Sequence, residues 1–360
     1  MRLAWIDFRN YKSLRNCRLP LERITVLVGP NGAGKSTVLE ALKRIADLCP
    51  KPGAPPALLR ATGSVEEFIN VDARKAGEST VEIRCGMSGP DSPVFALRWW
   101  PERPGSPLHN LSLAGGMAVG DRPPGKEEPV PPEVAQRLGK VRIFAFDPGA
   151  IAQPCQVQAR VELESTGKNL AAVLDGLRDE HPELFEAVNE ALPAWLPEFD
   201  RILFERPSGG QKSVALRTRQ GGYMIPAKAL SHGTLIALCL LTLAHLPDPP
   251  RIIGLEEPGR GLHPRLLGQV HDALVRLAYP EQYGIEREPA QIIATTHSPY
   301  FLDLFKDHPE HVVVANKEGL EVRFEPLAGR PELQEQLSQT ALGEIWYSGV
   351  LGGVPGTSCR

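Results

Sequence analysis

The sequence predicts an α/β protein whose sheet is partly parallel. Residues 23–28 are a β-branched apolar run that leads into a glycine-rich turn, and a helical pattern follows at 36–48. Strand and helix patterns then alternate through the last third of the chain: helix 234–245, strand 251–256, helix 264–278, strand 291–295 and helix 299–305. Alternation of this kind favours parallel strands joined by helical crossovers.

The stretch from about residue 50 to residue 132 differs in character, because proline and glycine are dense there. Residues 80–85 and 95–100 have short strand-like patterns, and 101–132 is predicted to be a long loop or an irregular insertion. Strand, helix and strand patterns return after it: strand 141–146, short helices within 168–196, and two or three strands between 201 and 225.

Composition places the chain among ordinary globular proteins. It has 360 residues, of which 42% are hydrophobic and 23% charged, and a formal net charge of −3. A protein that coats DNA is usually basic overall, so any nucleic-acid surface here must be a local patch. The six cysteines are scattered without a CxxC pair, which predicts neither a zinc site nor a disulfide framework and fits a reducing cytoplasm.

The distribution of apolar residues predicts a soluble protein without a membrane partner. The most apolar stretch, residues 235–246, has about twelve residues, whereas a membrane span needs about 20. The first residues lack the apolar core of a signal peptide. We therefore expect a cytoplasmic location and a buried helix at 235–246.

Residues 29–36 match the full G-x-x-x-x-G-K-[ST] pattern between a strand and a helix, which is the context that this phosphate-binding motif requires. Glycines let backbone N–H groups turn inward around phosphate oxygens, and the helix N-terminus adds partial positive charge. Lys35 is expected to reach the β- and γ-phosphates of a nucleotide, and Ser36 to bind Mg²⁺. A chance glycine-rich turn is the alternative, and the matched context argues against it.

The apolar strand at 251–255 ends in two acids, Glu256 and Glu257. A strand followed by two acids is often a solvated turn, but beside a phosphate-binding motif it is typical of a Walker B element. Glu256 then orients Mg²⁺ or its bound water, and Glu257 is the general base for the attacking water. The first acid is more often Asp in such proteins, so the division of roles between the two acids stays open.

Two further elements complete the motif order. His297 ends the predicted strand 291–295, at the strand end where ligands collect in α/β sheets. Ser231 and Gly233 open the helix at 234–245, where Ser231 is either a plain helix cap or part of a signature sequence that contacts ATP.

The order of phosphate loop, Ser-x-Gly helix start, Walker B and histidine resembles that of ABC-type ATPases. The resemblance implies that His297 contacts the γ-phosphate, and that the Ser231–Gly233 element reaches the ATP of a partner subunit in a sandwich homodimer. It implies these site assignments: for ATP Gly29, Pro30, Asn31, Gly32, Ala33, Gly34, Lys35, Ser36, Thr37, Arg9, Asn10, Ser231 and Gly233, for Mg²⁺ Ser36 and Glu256, and for catalysis Glu257, His297 and Lys35.

Within that class, the motifs are similar to those of the RecF/SMC/OLD branch. The start of the chain, residues 8–14, looks like the first strand and turn of this branch, in which Arg9 and Asn10 lie beside the nucleotide base. Residues 255–258 (LEEP), 261–264 (GLHP) and 296–299 (THSP) resemble OLD-type motifs, whereas residues 50–140 match only in outline.

Two departures from this branch affect the expected function. Lys35 and Ser231 are only about 200 residues apart without heptads, so the long coiled coil of SMC proteins is not expected. About 60 residues follow His297, too few for the Toprim nuclease of full OLD proteins. The resemblance therefore implies that any chemistry on DNA comes from a partner protein.

The predicted architecture is a P-loop NTPase of the ABC-ATPase type, with a mixed sheet core, an antiparallel β lobe and a helical signature lobe. We expect a single domain over 1–360, divided as follows: 1–150 the phosphate loop and β lobe with an insertion at about 50–140, 151–235 the helical and signature lobe, 236–330 the Walker B and histidine core, and 331–360 a C-terminal helix and tail.

Several functions fit this architecture. The favoured one is the ATPase subunit of a DNA-maintenance or anti-phage system that acts with a nuclease or toxin effector. The alternative is a RecF-like DNA-binding repair ATPase, for which two basic groups could form a patch or simply a solvated face: Lys126, Arg137, Lys140 and Arg142, and Lys212, Arg217 and Arg219. A transporter subunit is less favoured, because the motifs differ in form from those of transporter ATPases. An ATP-binding scaffold without hydrolysis is also less favoured, because Glu256, Glu257 and His297 are all present.

Overall fold

The computed structural model describes residues 1–49, 68–89, 93–101, 109–117, 131–157, 161–207, 209–330 and 340–351. The chain divides into two compact units, Met1–Arg142 with Phe305–Arg360, and Ile143–Leu304.

The described strands are β1 Leu3–Tyr11, β2 Leu14–Pro20, β3 Ile24–Val28, β4 Val81–Met87, β5 Pro93–Pro101, β6 His109–Met117, β7 Val141–Phe144, β8 Cys155–Gln156, β9 Phe199–Glu205, β10 Gln211–Thr218, β11 Met224–Pro226, β12 Ile252–Glu256, β13 Gln291–Thr296, β14 Val312–Glu318 and β15 Glu321–Pro326. The described helices are α1 Lys35–Leu48, α2 Val71–Lys75, α3 Pro132–Gly139, α4 Pro148–Ile151, α5 Leu170–Glu180, α6 Pro182–Trp195, α7 His232–Ala244, α8 Leu267–Ala278, α9 Pro299–Asp303 and α10 Leu342–Tyr347.

The first unit contains a five-stranded antiparallel sheet in the order β2-β1-β4-β5-β6. Along β1 the side chains of Ile6 and Phe8 are buried, whereas Arg9, which alternates with them, is exposed. This alternation lets one face of the sheet join the core while the other meets solvent. It is the antiparallel β lobe that the sequence predicted.

The prediction of a long loop over 101–132 is wrong for residues 109–117. These residues form β6, which pairs antiparallel with β5 from Pro93↔Met117 to Pro101↔His109. The segment is rich in glycine and small residues, which weakens its strand pattern, and it is the backbone pairing with β5 that makes it a strand. Residues 102–108 and 118–130 lie outside the described part of the chain.

The first unit also holds a second, mixed group of strands. Every residue of β3 is buried, which explains its continuous apolar run, and β3 pairs parallel with β14. A short turn connects β14 to β15, and the two strands pair antiparallel from Val313↔Pro326 to Glu318↔Glu321. The sequence predicted the mixed sheet but not this hairpin.

In the second unit, β10 lies between β9 and β11 in an antiparallel group, and α5 and α6 precede it. The central helix α7 is buried at every residue from Thr234 to Ala244, so it has no amphipathic stripe. This is the buried helix expected from the apolar stretch at 235–246. In the described part of the chain, no helix has the length and apolar character needed to cross a membrane.

His245 directly follows α7 and lies buried in a positively charged environment. Its Nδ1 lies 2.8 Å from the carbonyl oxygen of Leu241. Burial, together with the cations of Arg276 and Arg287, lowers the pKa of His245 from 6.5 to about 4. Arg287 itself donates to the carbonyl oxygens of Leu246 (2.9 Å) and Arg276 (3.1 Å) and so holds the ends of α7 and α8 together.

We therefore expect the free energy of unfolding to fall as the pH drops from about 6.5 to about 4. In this window the unfolded chain protonates His245 and the folded chain does not, so the cost is up to about 1.4 kcal/mol per pH unit. The check is urea unfolding followed by circular dichroism between pH 4.5 and 7.5. His245→Gln should flatten this slope, and His271→Gln on α8 should keep it. An equal slope in wild type and His245→Gln would contradict the assignment.

Candidate functional site

The phosphate-loop sequence connects β3 to α1 in the first unit, and its shape requires glycine. Gly32 and Gly34 have φ angles of 77° and 82°, in the left-handed region that residues with a Cβ rarely adopt. At Gly29 a Cβ would collide with the carbonyl oxygen of Ala315 in β14. The loop is therefore held against the neighbouring strand at a distance that only glycine permits.

The first turn of α1 has the features of an anion site. Gly34 is the N-cap and provides no side-chain hydrogen bond, and the first turn contains no acidic residue. The helix has 14 residues, so its N-terminal partial charge is fully developed. An anionic group at this end is electrostatically favoured.

Lys35 is buried, and its ammonium is folded into the loop. Nζ donates to the carbonyl oxygens of Gly29 (2.8 Å) and Pro30 (2.9 Å). Ser36 is exposed beside it, and Thr37 is half-buried with its hydroxyl oxygen 3.5 Å from that of Ser13. The loop residues Asn31 and Gly32 are exposed, whereas Ala33 is buried.

Arg9 and Asn10, predicted to lie beside a nucleotide base, have different surroundings. Asn10 is 2% exposed, and its amide donates to Glu78 Oε2 (2.7 Å) and to the carbonyl oxygen of Thr80 (3.1 Å). Arg9 is 67% exposed in its side chain and lies 3.8 Å from the Glu78 carboxylate. Of the two side chains, that of Arg9 is the one accessible to a ligand.

In the second unit, β12 and β13 are parallel, and Glu256 is opposite Thr295. This register places Glu256 and Glu257 at the same end of the strand pair as His297. Glu257 Oε1 lies 3.6 Å from His297 Nε2, and both side chains are about one third exposed (33% and 32%). This distance is too long for a direct hydrogen bond. It is short enough for both groups to contact one ligand or one water molecule.

Glu257 has a strained backbone, with a φ of 45° that is uncommon for a residue other than glycine. Its N–H donates to the hydroxyl oxygen of Thr295 at 3.1 Å, and Thr295 is almost completely buried. Strain of this kind persists only where surrounding contacts determine it, and it is common at functional sites. The sequence patterns did not point to Thr295, because its hydroxyl reaches the Glu257 N–H only through the β12–β13 register.

Ser231 caps α7, as the simpler reading of the sequence expected. Its Oγ accepts from the N–H of Thr234 at 3.1 Å, and the side chain remains exposed. At Gly233 a Cβ would lie 2.8 Å from the carbonyl oxygen of Gly261, so the turn after the acidic pair packs directly on the helix start.

One depression of the second unit, of about 480 Å³, joins the acidic pair to the helix start. Its lining residues include Asp147, His232, Glu256, Glu257 and Arg260. It therefore brings the predicted Walker B acids next to the Ser231–Gly233 element, with acidic and basic side chains on one surface.

Two family models match the chain. Residues 1–188 match the model described as "AAA ATPase domain". Residues 157–303 match the model described as "AAA domain, putative AbiEii toxin, Type IV TA system". The first match contains the phosphate loop, and the second contains the acidic pair and His297.

Among curated proteins, the chain is similar to the OLD nuclease of Thermus scotoductus (strain ATCC 700910 / SA-01), with 25% identity over 354 residues. That alignment covers 87% of this chain but 64% of the relative. A shorter match, to the phosphate import ATP-binding protein PstB of Synechococcus sp. (strain CC9605), has 42% identity over 45 residues and covers 12% of this chain and 16% of PstB. The chain therefore spans less than two thirds of the length of these relatives.

Solved structures of Smc head domains share the fold. A SmcHead bound to the C-winged helix domain of ScpA has a TM-score of 0.57 at 14% identity and covers 90% of this chain and 97% of that one. A Smc head domain with an extended coiled coil, bound to the C-terminal domain of ScpA derived from Pyrococcus furiosus, has a TM-score of 0.57 at 13% identity, with coverages of 94% and 100%. The predicted fold class and the resemblance to the RecF/SMC/OLD branch are confirmed.

For the ATP hydrolysis that the motif order predicts, we expect Thr295→Val to lower the rate about tenfold while leaving the KM for ATP unchanged. The substitution removes the acceptor for the Glu257 N–H, and losing one such hydrogen bond costs about 1–1.5 kcal/mol. Thr295→Ser retains the hydroxyl and is the matched control, because it should restore most of the rate. A Thr295→Val protein with the wild-type kcat would show that this bond does not position Glu257.

Proposed function

This chain belongs to the AAA ATPase domain family, and we propose on that premise that it binds ATP with Mg²⁺ and hydrolyses it to ADP and phosphate. The observation that carries the proposal is the Glu257–His297 pair at the adjacent ends of two parallel strands. A carboxylate and an imidazole that are both partly exposed and 3.6 Å apart can act together on a water molecule and a phosphate group.

In the proposed reaction, water attacks the γ-phosphorus of ATP, and the bond from that phosphorus to the β,γ-bridging oxygen breaks. Glu257 accepts the proton of the attacking water, and His297 contacts a γ-phosphate oxygen. The phosphate loop binds the β- and γ-phosphates through backbone N–H groups and the Lys35 ammonium, which would exchange its present carbonyl partners for phosphate oxygens.

Two residues provide donors that fit Mg²⁺. Ser36 and Glu256 are both exposed, and hydroxyl and carboxylate oxygens are the ligands that this hard cation prefers. In this assignment Ser36 binds the ion directly, and Glu256 binds it or its water. The ion would neutralise charge on the phosphate oxygens.

We propose that the active unit is an ATP-dependent sandwich homodimer. Ser231 and His232 are exposed at the N-terminus of the 13-residue helix α7, where N–H groups and the helix dipole favour an anion. In ABC-type ATPases, which this chain resembles, this element acts on the ATP of the partner subunit. ATP binding would close the dimer, and hydrolysis would reopen it.

The proposed setting is DNA maintenance or anti-phage defence, together with a separate effector. The support is the likeness to an OLD nuclease and to a family model whose description names a toxin of a toxin–antitoxin system. A nuclease or a toxin is therefore the kind of effector that we propose. A transporter role has weaker support, because the PstB match covers 12% of the chain.

The alternative, direct DNA binding, depends on the two basic groups. In the second group, Lys212 forms an ion pair with the buried Asp175, and Arg217 forms a two-pronged pair with Asp200 at 2.8 and 3.1 Å. These cations are already balanced by carboxylates, which argues against a phosphate-binding patch there. In the first group, Lys126 lies outside the described residues.

Glu257→Gln should abolish steady-state ATP hydrolysis, because the amide cannot accept the proton of water, while ATP binding persists. We expect a rate at least about a hundredfold lower and a dimer that ATP stabilises, measured by phosphate release and by light scattering after gel filtration. Glu286→Gln, at an exposed position of the same unit, is the control and should behave as wild type. An unchanged rate in Glu257→Gln would rule out its role as the base, whereas the absence of hydrolysis by the wild-type protein would favour an ATP-binding scaffold.

Linear duplex DNA distinguishes the two settings. If an effector or another partner protein regulates ATP hydrolysis, the ATPase rate of the wild-type protein should not change when DNA is added. Stimulation of several-fold that weakens with added salt would instead support the DNA-binding alternative, because phosphate contacts are salt-sensitive.

A further inference from the structure

The turn before β14 brings together three residues that the proposed function does not use. His308, Glu310 and His311 lie within four positions of the chain, and one possible ligand atom from each lies within 4.8 Å of the others. The cluster belongs entirely to the first unit. The cysteine pattern did not suggest a metal site, and these residues are a different set of donors.

The three side chains converge on one side of the turn. His308 Nδ1 lies 3.0 Å from Glu310 Oε1, a separation that two ligands of one metal ion also have. The rings of His308 and His311 are stacked, with centroids 5.4 Å apart and an interplanar angle of 23°. One possible ligand atom of each residue therefore lies within reach of a common ion.

The cluster has a rigid base and an open side. His311 is 8% exposed, and its ring makes a T-shaped contact with Phe305, with the centroids 6.3 Å apart. His308 and Glu310 are exposed, at 57% and 49% of their side chains. The buried imidazole is therefore oriented by packing, while the two outer ligands can adjust to an ion arriving from solvent.

The donor types select the class of ion. Two imidazoles and one carboxylate suit a borderline transition ion, whereas Mg²⁺ and Ca²⁺ prefer oxygen ligands alone. Three protein ligands leave one position of a tetrahedral ion for water. We propose that His308, Glu310 and His311 bind a divalent transition ion of the Zn²⁺ class at the start of β14.

The place of the cluster in the fold connects this ion to the strand that supports the phosphate loop. β14 begins at Val312, directly after His311, and pairs with β3 in the register Val312↔Val26. Three residues further on, Ala315 supports the phosphate loop at Gly29. An ion at the turn would therefore anchor Val312, the first residue of β14, three residues before the contact of Ala315 with the phosphate loop.

The test is a Zn²⁺ titration of the full chain, produced without a polyhistidine tag, stripped with EDTA, desalted, and kept in millimolar Mg²⁺. Competition with a chromophoric chelator should show one Zn²⁺ per chain, and Zn²⁺ should raise the melting temperature. His308→Ala and Glu310→Gln change exposed side chains and should each weaken binding at least about tenfold, because even partners of ligands contribute about 10- to 100-fold. Both variants should lose the rise in melting temperature.

Two controls identify the location of the ion. His271→Ala removes another histidine beside a carboxylate, 3.5 Å from Asp272, and should bind as wild type does. His297→Ala removes the histidine of the proposed ATP site and should also retain the binding. Loss of the Zn²⁺ in His297→Ala with retention in His308→Ala would overturn the proposal, as would the absence of saturable binding in the wild type. Neither result bears on whether the chain hydrolyses ATP.

Discussion

The candidate site of the second unit depends on the parallel register of β12 and β13. Because Glu256 is opposite Thr295, both strands end at the same level, and the residues that follow them share one edge. A shift of one residue would turn the side chains to the opposite face and separate Glu257 from His297. The same register lets the Thr295 hydroxyl accept the N–H of Glu257 and hold it at a φ that it would otherwise avoid.

The phosphate loop of the first unit depends on a different constraint, the close approach of two backbones. Ala315 of β14 occupies the space that a side chain at Gly29 would need. On the other side, Lys12 forms an ion pair of 2.5 Å with Glu40, which ties the β1–β2 turn to α1. The loop is thus fixed by backbone contact and by an ion pair at the helix, and its conformation does not depend on the loop residues alone.

Burial separates the residues that can meet a ligand from those that position them. Ser36, Glu256 and Ser231 are exposed, and Glu257 and His297 are about one third exposed. Asn10 and Thr295 are buried, and each holds backbone or side chain of its own unit in place. This division explains why a polar residue such as Asn10 can matter at a site without offering its side chain to a nucleotide.

The sequence alone determined the elements with strong local signals. Strand β3, the glycine turn, helix α1 and the largely apolar helix α7 have such signals: a run of β-branched residues, a spaced glycine motif and a long stretch of mostly apolar residues. The alternation of strand and helix patterns and the order of the motifs also predicted the fold class. The assignment of Glu256, Glu257, His297 and Ser231 to individual roles remains a prediction, because residue type and order constrain chemistry without giving distances.

Tertiary structure decided what depends on pairing between distant segments. β6 is a strand because β5 offers its backbone edge, although the segment itself is rich in glycine. Thr295 acquires a role because it lies opposite Glu256, and Asn10 is buried because Glu78 and Thr80 meet its amide. Local sequence encodes propensity and periodicity, whereas these features arise from contacts between residues far apart in the chain, whose geometry only the folded protein defines.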